Sequence, residues 1–334
     1  MADPEQRIFV SHVAGIGQTV LALPALRALR HYFPTAHITV AASNSAIEIV
    51  QLSRTTDEVL PVFRRGEIIR PRNSYRSLKS FREIRRQQFD LTLELKRNPV
   101  GGLARYLAQS GSSTKKIKLL TQLREAILQR GLKYKHAAQA YLEILAEIGA
   151  YPIDTAPKLF TDREADQRID LRLSKHDFSS GGLLVGIHPG AGKNKPRWAV
   201  EKFAIVAAKL IHTMDARIII FAGPHERGLA KHLMQQLPAK KSLALESLSL
   251  NDFASATARL SVFITNHSGP AHLAAAVGAP VVVTSASMNN SDKLLSPNHI
   301  QIQQDSIAAI TTEEVFEAAC QLIQASRAEL LWAR

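Results

Sequence analysis

Four short loops hold the residues whose types and spacing could do chemistry. The first is "HPGAGKNKPRW", His188 to Trp198. Its small residues, Gly190, Ala191 and Gly192, let backbone N–H groups approach an anion closely. Lys193, Lys195 and Arg197 add positive charge beside them. That composition suits a diphosphate, and an exposed turn with solvated bases would use the same residues. The run lacks the Gly-Lys-Ser/Thr end of a Walker loop and is not a GxGxxG dinucleotide fingerprint. In the second loop, "TNHSGPAHLAAA", Ser268, Gly269 and Pro270 open a helix. Free N–H groups and the helix dipole favour phosphate at such a start. His272 follows Ser268 by four residues on the same helix face, where a histidine either packs or meets a ligand. The third, "AGPHERGLA", places Glu226 just past an apolar run. A carboxylate there accepts hydrogen bonds from a ribose or satisfies a helix start. The fourth, "HVAGIGQT", is a glycine-bracketed turn (Gly15, Gly17) after His12. It leads to Gln18, an amide that cannot hold or release a proton near neutral pH.

Loops of this kind act where a parallel sheet presents them, beyond the carboxyl ends of its strands. The N-terminal third alternates strand and helix: "RIFVSHV", "HITVAAS", "EVLPVF" and "DLTLEL" read as strands. The segment between the first two has helical apolar spacing, Val20, Leu23, Leu26, Leu29 and Phe33, and stops at Pro34. A basic helix, "SYRSLKSFREIRRQQF", precedes the fourth strand, and residues 98–151 read as mostly helical. The second half repeats the alternation with strands "LLVGIHP", "RIIIFAG", "SLALE", "VFITN" and "PVVVTSA". The expected fold class is therefore α/β, with two Rossmann-like domains facing a central cleft. The expected boundaries are 1–165 and 180–312, with a helix over 313–334 that packs back on the first domain. The link between the domains carries one further helix.

Composition narrows the function classes. The 334 residues, 46% of them hydrophobic, suffice for two ordinary cores. One cysteine, Cys320, excludes an intrachain disulfide and argues against a thiolate metal site. The start "MADPEQRIFV" lacks the basic and apolar regions of a signal peptide, so a cytoplasmic chain is expected. The net charge of +13 is localised: Arg54 to Lys135 holds 20 Lys and Arg against 7 Asp and Glu, which equals the whole excess. Such a one-sided field fits either a polyanionic partner or a solvated basic face. Nucleic acid is the weakest of the polyanions, because the segment lacks interleaved aromatics or a recognisable module.

The three C-terminal loops, in this order after "GIGQTVLALPALRALR", resemble glycosyltransferase family 9, the heptosyltransferases of lipopolysaccharide core synthesis. The resemblance covers nearly the whole chain and rests on the HPGAG…RW, GPHER and SGPAHLAAAVGAP segments. It implies a GT-B fold and an inverting, metal-independent transfer with no cofactor, using an ADP-heptose-like sugar as donor substrate. It further implies a phosphorylated glycolipid acceptor at the cytoplasmic face of the inner membrane, with peripheral association there and no obligate protein partner. By resemblance the donor falls to Gly190, Ala191, Gly192, Lys195 or Arg197, Glu226, Ser268, Gly269, Pro270 and His272. Arg64 and Arg65, in "FRRGEIIRPR", match the acceptor-contacting bases.

Two positions depart from the family pattern. Gln18 stands where the family has the aspartate that deprotonates the acceptor hydroxyl, and His267 stands where its "NDSG" motif has an acid. The "FG" after the strand ending near Val283 is replaced by "TSASMNNSDK". A general base contributes about 10² to 10⁴ in rate. Three outcomes follow: another group, among His12, His267 and Glu94, takes the proton; positioning alone sustains slow transfer; or the chain binds nucleotide sugar or anionic glycolipid without catalysis.

Overall fold

The computed structural model describes residues 6–63, 71–110, 136–178, 182–192, 196–286 and 293–332. The chain divides into two compact units, Met1–Lys158 with Asn290–Lys293, and Leu159–Asn289 with Leu294–Arg334.

The first unit is built on β1 (Arg7–His12), β2 (His37–Ala42), β3 (Glu58–Pro61) and β4 (Leu91–Glu94). All pairings are parallel and the order is β3-β2-β1-β4. Its helices are α1 (Ile16–Tyr32), α2 (Ile47–Leu52), α3 (Pro71–Arg86), α4 (Pro99–Ser110) and α5 (Ala137–Ala146). Parallel strands must be covered on both faces, and the alternation of side chains supplies both. Phe9, Ala41 and Leu60 meet Ile84 of α3 with Ala104 and Ala108 of α4. Ile8, Val10 and Val40, at the alternate positions, are equally buried, and α1 packs with α2 and α5.

The second unit holds β5 (Leu184–His188), β6 (Arg217–Ala222), β7 (Ser242–Glu246), β8 (Val262–Asn266), β9 (Val281–Ala286) and β10 (His299–Gln304). They lie parallel in the order β10-β9-β8-β5-β6-β7, which in the unit's own sequence order is the doubly wound 3-2-1-4-5-6 arrangement. Around them run α6 (Arg163–Ser174), α7 (Val200–Met214), α8 (Arg227–Met234), α9 (Leu250–Thr257), α10 (Gly269–Ala276) and α11 (Thr312–Trp332). Trp198, Phe203 and Leu210 pack with Ile187, Ile220 and Ile264 in one core. Phe221, Phe253 and Phe263 form a ring-edge cluster with centroids 5.1–5.9 Å apart.

Two differences from the sequence-based boundaries have physical reasons. The first unit ends at Lys158 rather than at 165, because α6 is tied to α9 of the second unit. Arg168 donates to Asp252 at 2.9 Å and Ser255 to Asp166 at 2.6 Å. The helix over 313–334, expected on the first domain, packs with α7 and the β8–β10 edge through Val315, Ala319 and Ile323. Strand β10 was not expected at all: "HIQIQQ" has only two apolar residues, as an edge strand allows.

Candidate functional site

Each sheet has one point where strand order reverses, and ligands of doubly wound folds bind there. In the second unit it lies between β5 and β8, whose last residues are His188 and Asn266. Asn266 is fully buried and uses all four of its hydrogen-bonding capacities. Its Nδ2 donates to the carbonyls of Pro189 and Gly190 at 2.9 and 3.1 Å. Its Oδ1 accepts from the Trp198 N–H at 2.8 Å and the Thr284 hydroxyl at 3.1 Å. Both ends of the loop from Pro189 to Trp198 are thus pinned to the tip of β8.

His188 meets Thr265 because the two are register partners; Nδ1 lies 3.3 Å from Thr265 Oγ1. Its Nε2 lies 3.0 Å from Glu226 Oε2. A carboxylate only accepts, so this nitrogen carries the proton. Glu226 stands at the N-cap position of α8 but does not cap it. Its carboxylate turns back to accept from the Gly223 N–H at 2.9 Å. Burial pushes the Glu226 pKa up, but the His188 hydrogen bond and charge, the Gly223 N–H and the Arg197 guanidinium outweigh it, leaving it below the usual 4.5. The carboxylate lies so close to Gly190 that a Cβ there would sit 1.9 Å from Oε1. Only glycine fits that approach.

Ser268 is the N-cap residue of α10 without a side-chain cap bond. Its hydroxyl donates to the Asn266 carbonyl at 3.1 Å and so takes no N–H of the first turn, where the Ala271 N–H donates to the Ser268 carbonyl at 3.2 Å. Pro270 falls in that first turn. His267 and His272 are buried, their rings edge-to-face at 5.4 Å. Arg197 and Gly192 are exposed, while Ala191 is half-buried. Lys193 and Lys195 lie outside the described residues.

The first unit repeats the arrangement with other chemistry. Its reversal lies between β1 and β4, where Ser11 pairs with Glu94. Gln18, half-buried in the first turn of α1, accepts on Oε1 from Lys96 Nζ at 3.0 Å and from the Tyr141 hydroxyl at 2.7 Å. The Lys96 ammonium can only donate, so the amide is fixed with its carbonyl toward Lys96 and Tyr141. Asn98 braces the site: Nδ2 donates to the Val13 and Lys96 carbonyls at 3.0 and 3.1 Å, and Oδ1 accepts from the Gly101 N–H at 2.9 Å. Helix α1, like α10, starts without a side-chain cap bond, at Gly15.

Two of the three candidate bases lie in this unit. His12 is fully buried, and neither ring nitrogen has a well-formed hydrogen bond among the described residues. Burial and the Lys96 charge push its pKa down to about 3, opposed only by the Gln18 backbone. A histidine so placed is neutral near pH 7 and packs against the Tyr141 ring, 5.3 Å away edge-to-face, and its lowered pKa makes it a weaker base than an ordinary imidazole. Glu94 is also buried, paired with Arg105 at 3.1 Å. Burial raises its pKa, more than the Arg105 charge and the Asn98 backbone lower it. Arg64 and Arg65 lie outside the described residues. Among the described residues no three His, Cys, Asp or Glu side chains form a group that could hold a metal ion.

Lys96, Asn98, Tyr141, His188 and Asn266 were not singled out as site residues from sequence. The signal for His188 and Asn266 was their place at strand ends inside loops already marked. Tyr141 had none.

Two doubly wound parallel units in one chain, each with a polar cluster at its reversal point, make up the GT-B class of fold. Solved structures agree. The glycosyl transferase family 9 structure from Veillonella parvula is similar over 97% of this chain and 99% of its own, with TM-score 0.80 and 23% identity. The E. coli ADP-heptose LPS heptosyltransferase II covers 96% of this chain and 100% of its own, with TM-score 0.74 and 18% identity. E. coli heptosyltransferase WaaC with ADP gives 95% and 100%, TM-score 0.73 and 16% identity. The pattern of glycosyltransferase family 9 (heptosyltransferase) matches residues 77–303. The chain belongs to that family. The matched stretch takes in Lys96, Tyr141 and the three second-unit loops that hold Gly190, Glu226 and Ser268, and begins after Gln18.

Proposed function

We propose that the protein transfers heptose, or a related sugar, from an ADP-activated donor to a phosphorylated glycolipid at the cytoplasmic face of the inner membrane, with inversion and without a metal. The observation that carries this is Glu226, held by His188 and the Gly223 N–H against Gly190. It is an ionised acceptor for ribose hydroxyls beside a loop and a helix start that offer N–H groups to a diphosphate. The acceptor belongs to the first unit, where Gln18 donates to an oxygen of the bound sugar and Arg64 and Arg65 take its phosphate. The acceptor oxygen attacks the anomeric carbon, the bond to the diphosphate breaks, and ADP leaves with the electron pair. The acceptor's proton goes to His267, which directly follows β8 at the second unit's reversal point.

The test is ADP release from ADP-heptose, with and without heptose-deficient lipopolysaccharide. Release that requires the acceptor is the expected result. ADP binding with no release on any acceptor would replace transfer by binding alone.

A further inference from the structure

Helices α3 and α4 pack side by side over one face of the first sheet, so both turn their outer faces away from it. Helix α3 buries Ser77, Ser80 and Ile84. Opposite them Tyr75, Leu78, Lys79, Arg82 and Arg86 recur at three- and four-residue steps, and all are exposed. Helix α4 buries Ala104 and Ala108 and exposes Pro99, Leu103 and Tyr106 along one stripe. Tyr75, Leu78, Leu103 and Tyr106 are 68%, 56%, 47% and 63% exposed. Four of the ten exposed large apolar residues among the described residues therefore share one surface. Scattered exposed apolar residues need no explanation, but a cluster rimmed by charge marks an interaction site. The rim has one sign: Arg85 and Arg76 are exposed too, and the only acid of α3, Glu83, is half-buried.

We propose that this α3–α4 face docks on an anionic lipid bilayer, lying in the headgroup layer. Tyrosines and leucines bury at the boundary between headgroups and acyl chains, and bases on the same surface meet anionic headgroups. A nucleic acid would use the bases and could stack on the tyrosines, but it offers nothing to Leu78 and Leu103. No helix among the described residues is long and apolar enough to cross a membrane. The inference extends the reading of a membrane-borne acceptor, and its test involves no sugar transfer.

The test is co-sedimentation of the full chain with vesicles free of glycolipid: phosphatidylcholine alone, and an equal mixture with phosphatidylglycerol. Binding to the mixture only, weakening as salt rises, is expected. Lys79→Ala with Arg82→Ala should weaken it about 25-fold, since each base near an anionic surface is worth roughly fivefold. Tyr75→Ser with Tyr106→Ser should weaken it about tenfold. Thermal unfolding and ADP affinity should stay unchanged, since all four side chains are exposed. As a gain of signal, Tyr106→Trp should add a blue shift in emission on the mixed vesicles. Absence of binding to the mixture, equal binding by the variants, or no shift from the tryptophan would overturn the proposal. So would tighter binding to single-stranded RNA that depends on the same residues. Because no donor or acceptor is present, failure here leaves the transferase reading standing, and a failure of transfer leaves this one standing.

Discussion

The two reversal points share a topology and differ in how their polar groups are satisfied. In the second unit Asn266 is sealed from water and spends three of its four side-chain hydrogen bonds on the loop it anchors and the fourth on Thr284 of β9. In the first unit Asn98 plays the equivalent part while half-buried, and Lys96, whose carbonyl it holds, and Gln18, which Lys96 meets, are half-buried too. A network with all its members buried and paired is stiff and costly to break; one that water can reach tolerates loss. The second site is thus the stiffer of the two, and the first, with Lys96 and Gln18 within reach of water, the more yielding. Their glutamates differ in the same sense: Glu226 is held ionised by partners, whereas Glu94 is made harder to ionise by burial.

The largest expected effect tests the difference in sealing. Asn266→Ala would strand the Trp198 N–H and two carbonyls, and a buried polar group left unpaired costs about 1–3 kcal/mol. A loss of about 3 kcal/mol or more is expected, with Tm lower by roughly 10 °C. Asn98→Ala should cost about 1 kcal/mol, as for an ordinary helix cap. Equal losses in thermal unfolding would break the comparison.

Acid should act next. His12 takes up its proton at about 3 in the folded chain and at 6.5 in the unfolded one. The unfolded state therefore binds more protons between these values, and its contribution to stability, complete above pH 6.5, drains away as pH falls toward 3. A loss of a few kcal/mol by pH 4.5 is expected in urea unfolding, and His12→Phe should flatten it. Glu226 has its pKa lowered, so its contribution is lost only below about pH 4.5. Glu226→Gln should change the profile there and nowhere above. Glu94 has its pKa raised, so its protonation favours the folded state and its sign is opposite.

Gly190→Ala separates shape from stability within the second site. The added Cβ meets the end of a flexible side chain, Glu226, so the carboxylate should swing away from His188 and Gly223 rather than the unit unfold. Overpacking of this kind costs about 1–3 kcal/mol, and calorimetry should show ADP bound about tenfold or more weakly. In a Glu226→Ala background the same change should have almost no further effect, since the two residues act as one contact.

These effects were legible in the sequence to different depths. Both sheets were readable because parallel strands buried on both faces are continuous apolar runs such as "RIIIF" and "PVVV". Edge strand β10, polar on most positions, carried no such signal. The second site was readable as loops because its parts lie within a few residues of strand ends. The first was not: Lys96 and Tyr141 reach Gln18 from 78 and 123 residues away. Strand order explains Lys96, which follows β4 and is delivered beside β1 only because the sheet reverses there. Tyr141 comes from a helix packed on α1, a contact that no local spacing encodes. The surroundings of His12 were hidden for the same reason: its type suggested a base, and only its burial, its contact with Tyr141 and the charge of Lys96 lower its pKa.

The smallest expected effect is also the sharpest on mechanism. Gln18→Glu keeps side-chain length, so one oxygen can stay with Lys96 and Tyr141 while the other replaces the amide N–H groups. If Gln18 orients the acceptor by donating, an acceptor-only carboxylate should repel the same oxygen. KM for the acceptor should rise about tenfold, the scale of one hydrogen bond to a charged group, with ADP affinity unchanged. The new carboxylate would sit beside Lys96, which favours its ionised form and makes it a weak base near neutral pH. The maximal rate should therefore move little. A rise on the order of 10² would mean that position 18 accepts the proton after all. The first site would then be a catalytic centre that has lost its acid, and His267 would have no proton to take.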